Sequence, residues 1–408
     1  MSRAGRAMTA EPSPRALHAT SRVLTEGLDL NDVAGGDGYL FVREGVGVAG
    51  RGVACRIPAE GAEEFLRSIH HDDQTGLNVS PTALGILPFD PSGSAELIVP
   101  KLLVGKRADG GAWVTTIGPG ETSLPRASPP PTTAATYAVT QITPISAYRA
   151  AVVAARDAVR RGEITKAVIA RAIQVSSSEP IDVHAVLLRL KASFSQSYRY
   201  SIDGFIGASP ELLLSIDGDT VRSHPLAGTT ARTGDPAADE RLAAALVASM
   251  KDQIEHRIVI DVIHDQLLPW CSYLDWQAEP SVLKVANVQH LGTLIEGRLT
   301  DSHPSLLALV RSLCPTPALG GHPRAAALQL ITTQEPTSRG RYGGAVGWVD
   351  GHGNGTWAVA IRCAELSDDR RSAVLMAGGG IVAESDPDAE LAETQAKFQA
   401  MLSAIIRP

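Results

Sequence analysis

Along this chain the apolar residues fall into two rhythms. In "GYLFVREGVGVAGRGVACRIP" and "AELIVPKLLVGKRADGGAWVTTIGP", β-branched runs alternate with glycine turns, a pattern that predicts antiparallel strands and hairpins. From residue 145 the period lengthens. "ISAYRAAVVAARDAVRRGEI" (145–164) sets Ala and Val at helical spacing with charges opposite, and "TKAVIARAIQVSS" then turns β-rich, so a helix followed by a strand is expected. The same reading places a helix in "PIDVHAVLLRLKASF", strands through "YRYSIDGFIGASPELLLSIDGDTVRSHPLAG", one long helix over 237–268, and strands in "GAVGWVDGHGNGTWAVAIRCAEL" and "SAVLMAGGGIVA". The final helix, "DPDAELAETQAKFQAMLSAII", opens with acids at its dipole-positive end. No fixed-period repeat is visible, which excludes solenoids and propellers.

Two stretches interrupt the pattern. Residues 1–20, rich in Ala, Ser, Pro and Arg without periodicity, predict a frayed arm. The proline-rich 120–136 predicts a connection between a β-rich part (21–119) and the remainder, 137–408. The 408 residues suffice for one large α/β domain or two smaller ones. A net charge of -7 and no basic patch argue against nucleic acid as a partner. Cys55, Cys271, Cys314 and Cys363 have no ligand spacing and fit reduced thiols. With no apolar run long enough for a bilayer, no membrane partner and a cytoplasmic location are expected.

The candidate chemistry lies where polar residues break apolar runs. In "KDQIEHRIVIDVI" (251–263), Asp252, Glu255 and His256 interrupt a helix whose apolar positions are Ile254, Ile258, Val259, Val262 and Ile263. In "SDPDAELAETQAKF", Glu390, Glu393 and Lys397 fall on one helical face. Two such acidic helices are either solvated faces or carboxylates converging on a hard cation such as Mg²⁺. "LMAGGGIVAES" carries three glycines between an apolar strand and the acidic helix, either a tight turn or a place for backbone N–H groups to meet an anion. "SRGRYGGAVGWVD" sets Arg341 and Tyr342 before a Gly-Gly pair. Arg362 in "WAVAIRC" is costly to bury unless it forks onto a carboxylate, internal or a ligand's. Lys166 in "ITKAVIARAI" and Glu211 in "GFIGASPELLLSI" read as strand residues, which either point to water or, held against apolar walls, become a usable base and acid.

Together these residues resemble the chorismate-utilising family of isochorismate, salicylate, anthranilate and aminodeoxychorismate synthases. The resemblance runs over roughly 137–405, with weaker agreement at "GILPFDPSGSAELIVP". It rests on ordered motifs: "GEITKAVIARA", "FIGASPELLL", "HPLAGTTARTG", "MKDQIEHRIVI", "VQHLGTLIEG", "CPTPALGG", "RGRYGGAVGW", "AIRCAEL" and "AGGGIVAESDPDAELAETQAK".

The resemblance implies one large α/β (α+β) domain like anthranilate synthase component I, with two mostly antiparallel sheets in a sandwich, helices outside and a cleft that binds chorismate through Mg²⁺. It implies Glu255 and Glu393 as metal ligands, with Asp252 and Glu390 behind them. Arg362 and Tyr342 would receive the enolpyruvyl carboxylate, Gly378 and Gly380 would offer backbone donors, and Gly228, Thr229, His290 and Lys397 would line the ring pocket. Lys166 stands where members that activate water carry lysine and ammonia users carry glutamine, so no glutaminase subunit is expected. Ala318 and Leu319 match the pair of isochorismate synthases, whereas Cys314 departs from their usual histidine. The implied reaction is water attack at C2 of chorismate, assisted by Lys166, with Glu211 protonating the departing C4 hydroxyl and the product feeding siderophore, salicylate or menaquinone synthesis. A salicylate synthase, which would go on to eliminate pyruvate, and an inactive chorismate-binding homologue remain the alternatives.

Overall fold

The strand Tyr39–Arg43 shows how the chain builds its layers: successive side chains point to opposite faces, so Tyr39 and Phe41 enter one core while Leu40 and Val42 enter another. Both faces are apolar because both are covered. The computed structural model describes residues 17–118, 135–285 and 288–407. Among these, the strands form a 13-stranded sheet, a 9-stranded sheet and a small 3-stranded sheet. Each large sheet joins a block of strands from before residue 118 to a block from after 135 at one seam: Tyr39–Arg43 pairs antiparallel with Tyr198–Ile202 in the larger sheet, and Thr82–Leu87 with Ala345–Asp350 in the smaller.

The core between the large sheets takes Phe41, Tyr200 and Phe205 from one and Leu84, Val346 and the fully buried Trp357 from the other. Each large apolar side chain so buried contributes about 1.5–3 kcal/mol. On the outer face of the larger sheet, helices Val183–Ser193 and Pro387–Ile406 insert Val186, Leu187, Phe398 and Met401. Helices Ile145–Arg160 and Arg324–Gln334 close a third cluster over Ile169.

Several expectations need correcting. The N-terminal arm ends earlier than residue 20: His18–Val23 is a strand, parallel to His70–Asp73 and antiparallel to Ala112–Ile117, because its backbone groups find partners on both sides. Residues 1–16 of that arm, and all but the end of the 120–136 connection, lie outside the described residues. The long helix over 237–268 is two helices, Pro236–Ala248 and Met250–Leu267. Between them Ser249 is extended, and its hydroxyl accepts the Asp252 N–H as an N-cap. The buried stripe of the second helix runs through His256, Val259, Ile260, Ile263 and Leu267, while Ile254 is 58% exposed. No helix among the described residues is long and apolar enough to cross a membrane.

Candidate active site

Lys166 opens the strand Lys166–Ser177, whose long antiparallel partner is Ser372–Ile381. The three glycines therefore sit inside a strand: Val168 faces Gly380, Ile169 faces Gly379 and Ala170 faces Gly378. They are not the turn their composition allows. Their role is steric, since a Cβ on Gly380 would fall 2.6 Å from Glu255 Oε1 and 2.9 Å from Lys166 Cε, and one on Gly379 would fall 2.5 Å from Glu390 Oε2. Small residues here let the two acidic helices bring their carboxylates down onto the sheet.

Those carboxylates are met by lysines. Lys166 Nζ lies 2.6 Å from Glu255 Oε1, and Lys397 Nζ lies 2.5 Å from Glu393 Oε1 while donating to the Gly378 carbonyl at 2.8 Å. Lys166, 1% exposed, is buried rather than turned to water, but its walls are not purely apolar: its amine faces a carboxylate. Glu390 is also buried and accepts a hydrogen bond from Ser385 Oγ at 2.8 Å.

Glu211 stands in the break between strands Phe205–Ser209 and Leu212–Asp217 rather than within a strand. It is 2% exposed, and the Leu226 N–H donates to its Oε1 at 3.4 Å. Burial pushes its carboxyl up to about 7, against the pull of that N–H and of Lys166, Arg362 and Lys397. A carboxyl held there can donate a proton near neutrality.

Arg362 likewise lies between strands, Gly355–Val359 and Cys363–Leu366, with a left-handed φ of 51°. It forks onto no carboxylate among the described residues. Its Nη2 donates to His290 Nε2 at 3.1 Å, and its buried Nε has no partner there. With Nε2 accepting, the hydrogen-bond network assigns the ring proton of His290 to Nδ1, which meets the Gly228 carbonyl at 3.3 Å and Thr229 Oγ1 at 3.1 Å. Burial, Arg362 and Lys397 hold His290 well below its ordinary value, so it stays neutral and leaves the guanidinium available to an anion. Gly228 adopts φ 74°, and a Cβ there would come 3.1 Å from the Asp252 side chain.

All sixteen candidate residues converge on one cavity of about 200 Å³. Ala318, Leu319 and Tyr342 form its apolar wall, and Asp252, Glu255, Glu390 and Glu393 line its acidic side. Sequence reasoning missed Val168, Pro210, Leu226, Ala227 and Ile361, apolar lining residues that a position in a recognisable motif could flag but side-chain chemistry could not. His256 packs behind the cavity, its Nε2 2.8 Å from Thr293 Oγ1, and burial lowers it to about 4.

The carboxylates of Glu255, Glu390 and Glu393 all reach the space above Gly379 and Gly380, and an all-oxygen donor set suits a hard divalent cation. Among the described residues no three ligating groups stand preassembled, since Glu255 and Glu393 each hold a lysine.

Comparison with known proteins agrees with this geometry. Residues 80–406 match the family described as "Chorismate binding enzyme". Isochorismate synthase DhbC of Bacillus subtilis is 36% identical over 336 residues, covering 80% of this chain and 81% of that protein. The vibriobactin-specific isochorismate synthase of Vibrio cholerae is 33% identical over 352 residues, covering 85% and 84%. Among solved structures, MenF, the menaquinone-specific isochorismate synthase of Escherichia coli, superposes with a TM-score of 0.83 at 25% identity over 98% of this chain and 96% of that one. Anthranilate synthase component I of Streptococcus pneumoniae shares the fold, with a TM-score of 0.69 at 18% identity over 98% and 94%. From the converging site and these matches together, the chain belongs to the chorismate-binding enzyme family.

Proposed function

We propose that this protein is an isochorismate synthase, converting chorismate to isochorismate. The observation that carries the reading is that two buried groups line one small cavity: Lys166, and Glu211 with its carboxyl raised to about 7. Their chemistry suits an exchange of hydroxyl groups across a ring. Water attacks C2 and gives up a proton to the free amine of Lys166, the ring double bonds shift, and the C4 hydroxyl leaves as water with the proton of Glu211; solvent then carries a proton from Lys166 back to Glu211. Atoms balance, so the reaction is an isomerisation.

The remaining residues bind and orient. Arg362, kept free by a neutral His290, suits a substrate carboxylate, and Tyr342 lines the same cavity. Glu255 and Glu393 would hold Mg²⁺, with Asp252 and Glu390 behind them, and the ion would supply charge stabilisation at a substrate carboxylate. Glu255 is also the ion partner of Lys166 Nζ, so one carboxylate touches both the amine and the place for the ion. The apolar wall of Ala318, Leu319 and Ile361 excludes bulk water and strengthens these interactions.

The test is to incubate the purified protein with chorismate and Mg²⁺ and separate the products. Isochorismate as the accumulating product supports the reading. Salicylate with pyruvate would replace it with a salicylate synthase, and no loss of chorismate would reject turnover altogether.

A further inference from the structure

The strand that carries Lys166 has an incomplete edge. On one side it pairs with Ser372–Ile381 continuously from Ala167 to Ser176. On the other, Gly321–His322 pairs only at Lys166 and Ala167, and Tyr137–Gln141 begins only at Ile173. On this second edge residues 168–172 have no strand beside them among the described residues, although Val168, Ala170 and Ala172 are buried and their backbone groups need partners. Val168 N–H reaches the Gly320 carbonyl at 3.1 Å and Ala172 N–H reaches Thr143 Oγ1 at 3.0 Å.

An ion pair closes the middle of the gap. Ala170 N–H donates to Glu335 Oε1 at 2.8 Å, and Arg339 Nη2 donates to the Val168 carbonyl at 2.6 Å. Glu335 and Arg339 hold each other through Nε–Oε2 at 2.9 Å and through a second contact between Nη2 and Oε1. Their side chains are 4% and 2% exposed, and neither lines the cavity. The same guanidinium donates through Nη1 to the Leu319 carbonyl at 2.8 Å and stacks 4.3 Å from the Phe89 ring and 6.0 Å from that of Tyr342. One rigid planar fork therefore touches three walls of the cavity from behind: the Lys166 strand, the Ala318–Leu319 loop and Tyr342.

We propose that the Glu335–Arg339 pair is a positioning device for the reaction. Acting as the missing piece of strand, it sets the separation of Lys166 from Leu319 and Tyr342, and so holds the amine in register with bound substrate. This rests on the reading of the site as an isochorismate synthase. Arg362 and the acidic helices lie on other elements, so of the binding groups the pair touches only Leu319 and Tyr342, and loosening it disturbs the approach of Lys166 more than it disturbs the charged contacts that hold the substrate. A lysine in place of Arg339 keeps the charge but cannot satisfy the carboxylate and both carbonyls at once.

The test uses the intact protein and two variants, Glu335→Gln and Arg339→Lys, with kcat and KM for chorismate measured per folded molecule, the folded fraction being read by circular dichroism. Misplacement of a reacting group predicts a kcat lowered roughly ten- to a hundredfold with KM within about threefold of wild type. A folded variant whose kcat stays within about threefold of wild type, or whose loss lies in KM alone, overturns the positioning role. Should Arg339→Lys fail to fold, Glu335→Gln decides the matter, since its amide oxygen can still accept the Ala170 N–H. A wild-type protein that leaves chorismate unchanged overturns the reading of the site instead, so the two failures are distinguishable.

Discussion

Replacing Glu211 with glutamine should destroy activity while stabilising the fold in alkali. The carboxyl is 2% exposed, and burial moves it from an ordinary 4.5 to about 7. At roughly 1.4 kcal/mol per pH unit, that difference is worth about 3 kcal/mol. The folded state holds the proton to higher pH than the unfolded chain does. Stability from this group is therefore fully present below about 4.5, declines as pH rises, and above about 7 is lost, the full cost of a buried carboxylate being carried from there upward. Glutamine keeps an oxygen for the Leu226 N–H and never ionises. Urea unfolding of wild type and Glu211→Gln at pH 5 and pH 9 should show the variant gaining about 3 kcal/mol on wild type between the two conditions. At pH 5 to 7, kcat should fall by roughly 10²–10⁴ through loss of the general acid, the gap closing at higher pH as wild type loses the same proton. In wild type, kcat/KM should decline above about pH 7 as Glu211 ionises. A stability difference that is flat with pH, or a variant with wild-type kcat, would refute the assignment of Glu211 as a buried, protonated acid.

Other consequences follow from the same geometry. Glu255→Gln and Glu393→Gln each replace a carboxylate with a poorer ligand, so calorimetric titration with Mg²⁺ should show affinity reduced roughly tenfold or more; unchanged binding in both excludes them as ligands. Gly380→Ala places a methyl 2.6 Å from Glu255 Oε1 and 2.9 Å from Lys166 Cε, so both side chains of the pair must shift. Its kcat should drop by roughly a hundredfold with secondary structure intact by circular dichroism, and retention of full activity would show that the glycines are not there to make room.

Much of the architecture is legible in local pattern because strand and helix periodicities are local properties. The apolar run "YLFVR" before its glycine turn does mark an antiparallel strand, and the spacing in 145–164 does mark a helix, ending at Arg160. The acids of both helices and the position of Lys166 also follow from residue order, since Glu390, Glu393 and Lys397 must share a face once their helix exists. Where one side chain overrides a periodic run, pattern reading fails: Ser249 caps a new helix inside what reads as one, and Arg362 takes a left-handed backbone conformation in the break between two strands.

What only the tertiary structure decided is which groups meet. Lys166 and Glu255 are far apart in sequence, yet stand 2.6 Å apart because Gly380, on a third segment, leaves room for both. The glycines that suggest a turn lie in a strand because Lys166–Ser177 supplies their hydrogen-bond partners. The elevated carboxyl of Glu211 is likewise a property of the walls around it rather than of its own segment. Residue types and periods are written along the chain, whereas burial, ion pairing and the completion of a strand edge by Glu335 and Arg339 exist only once distant segments have packed.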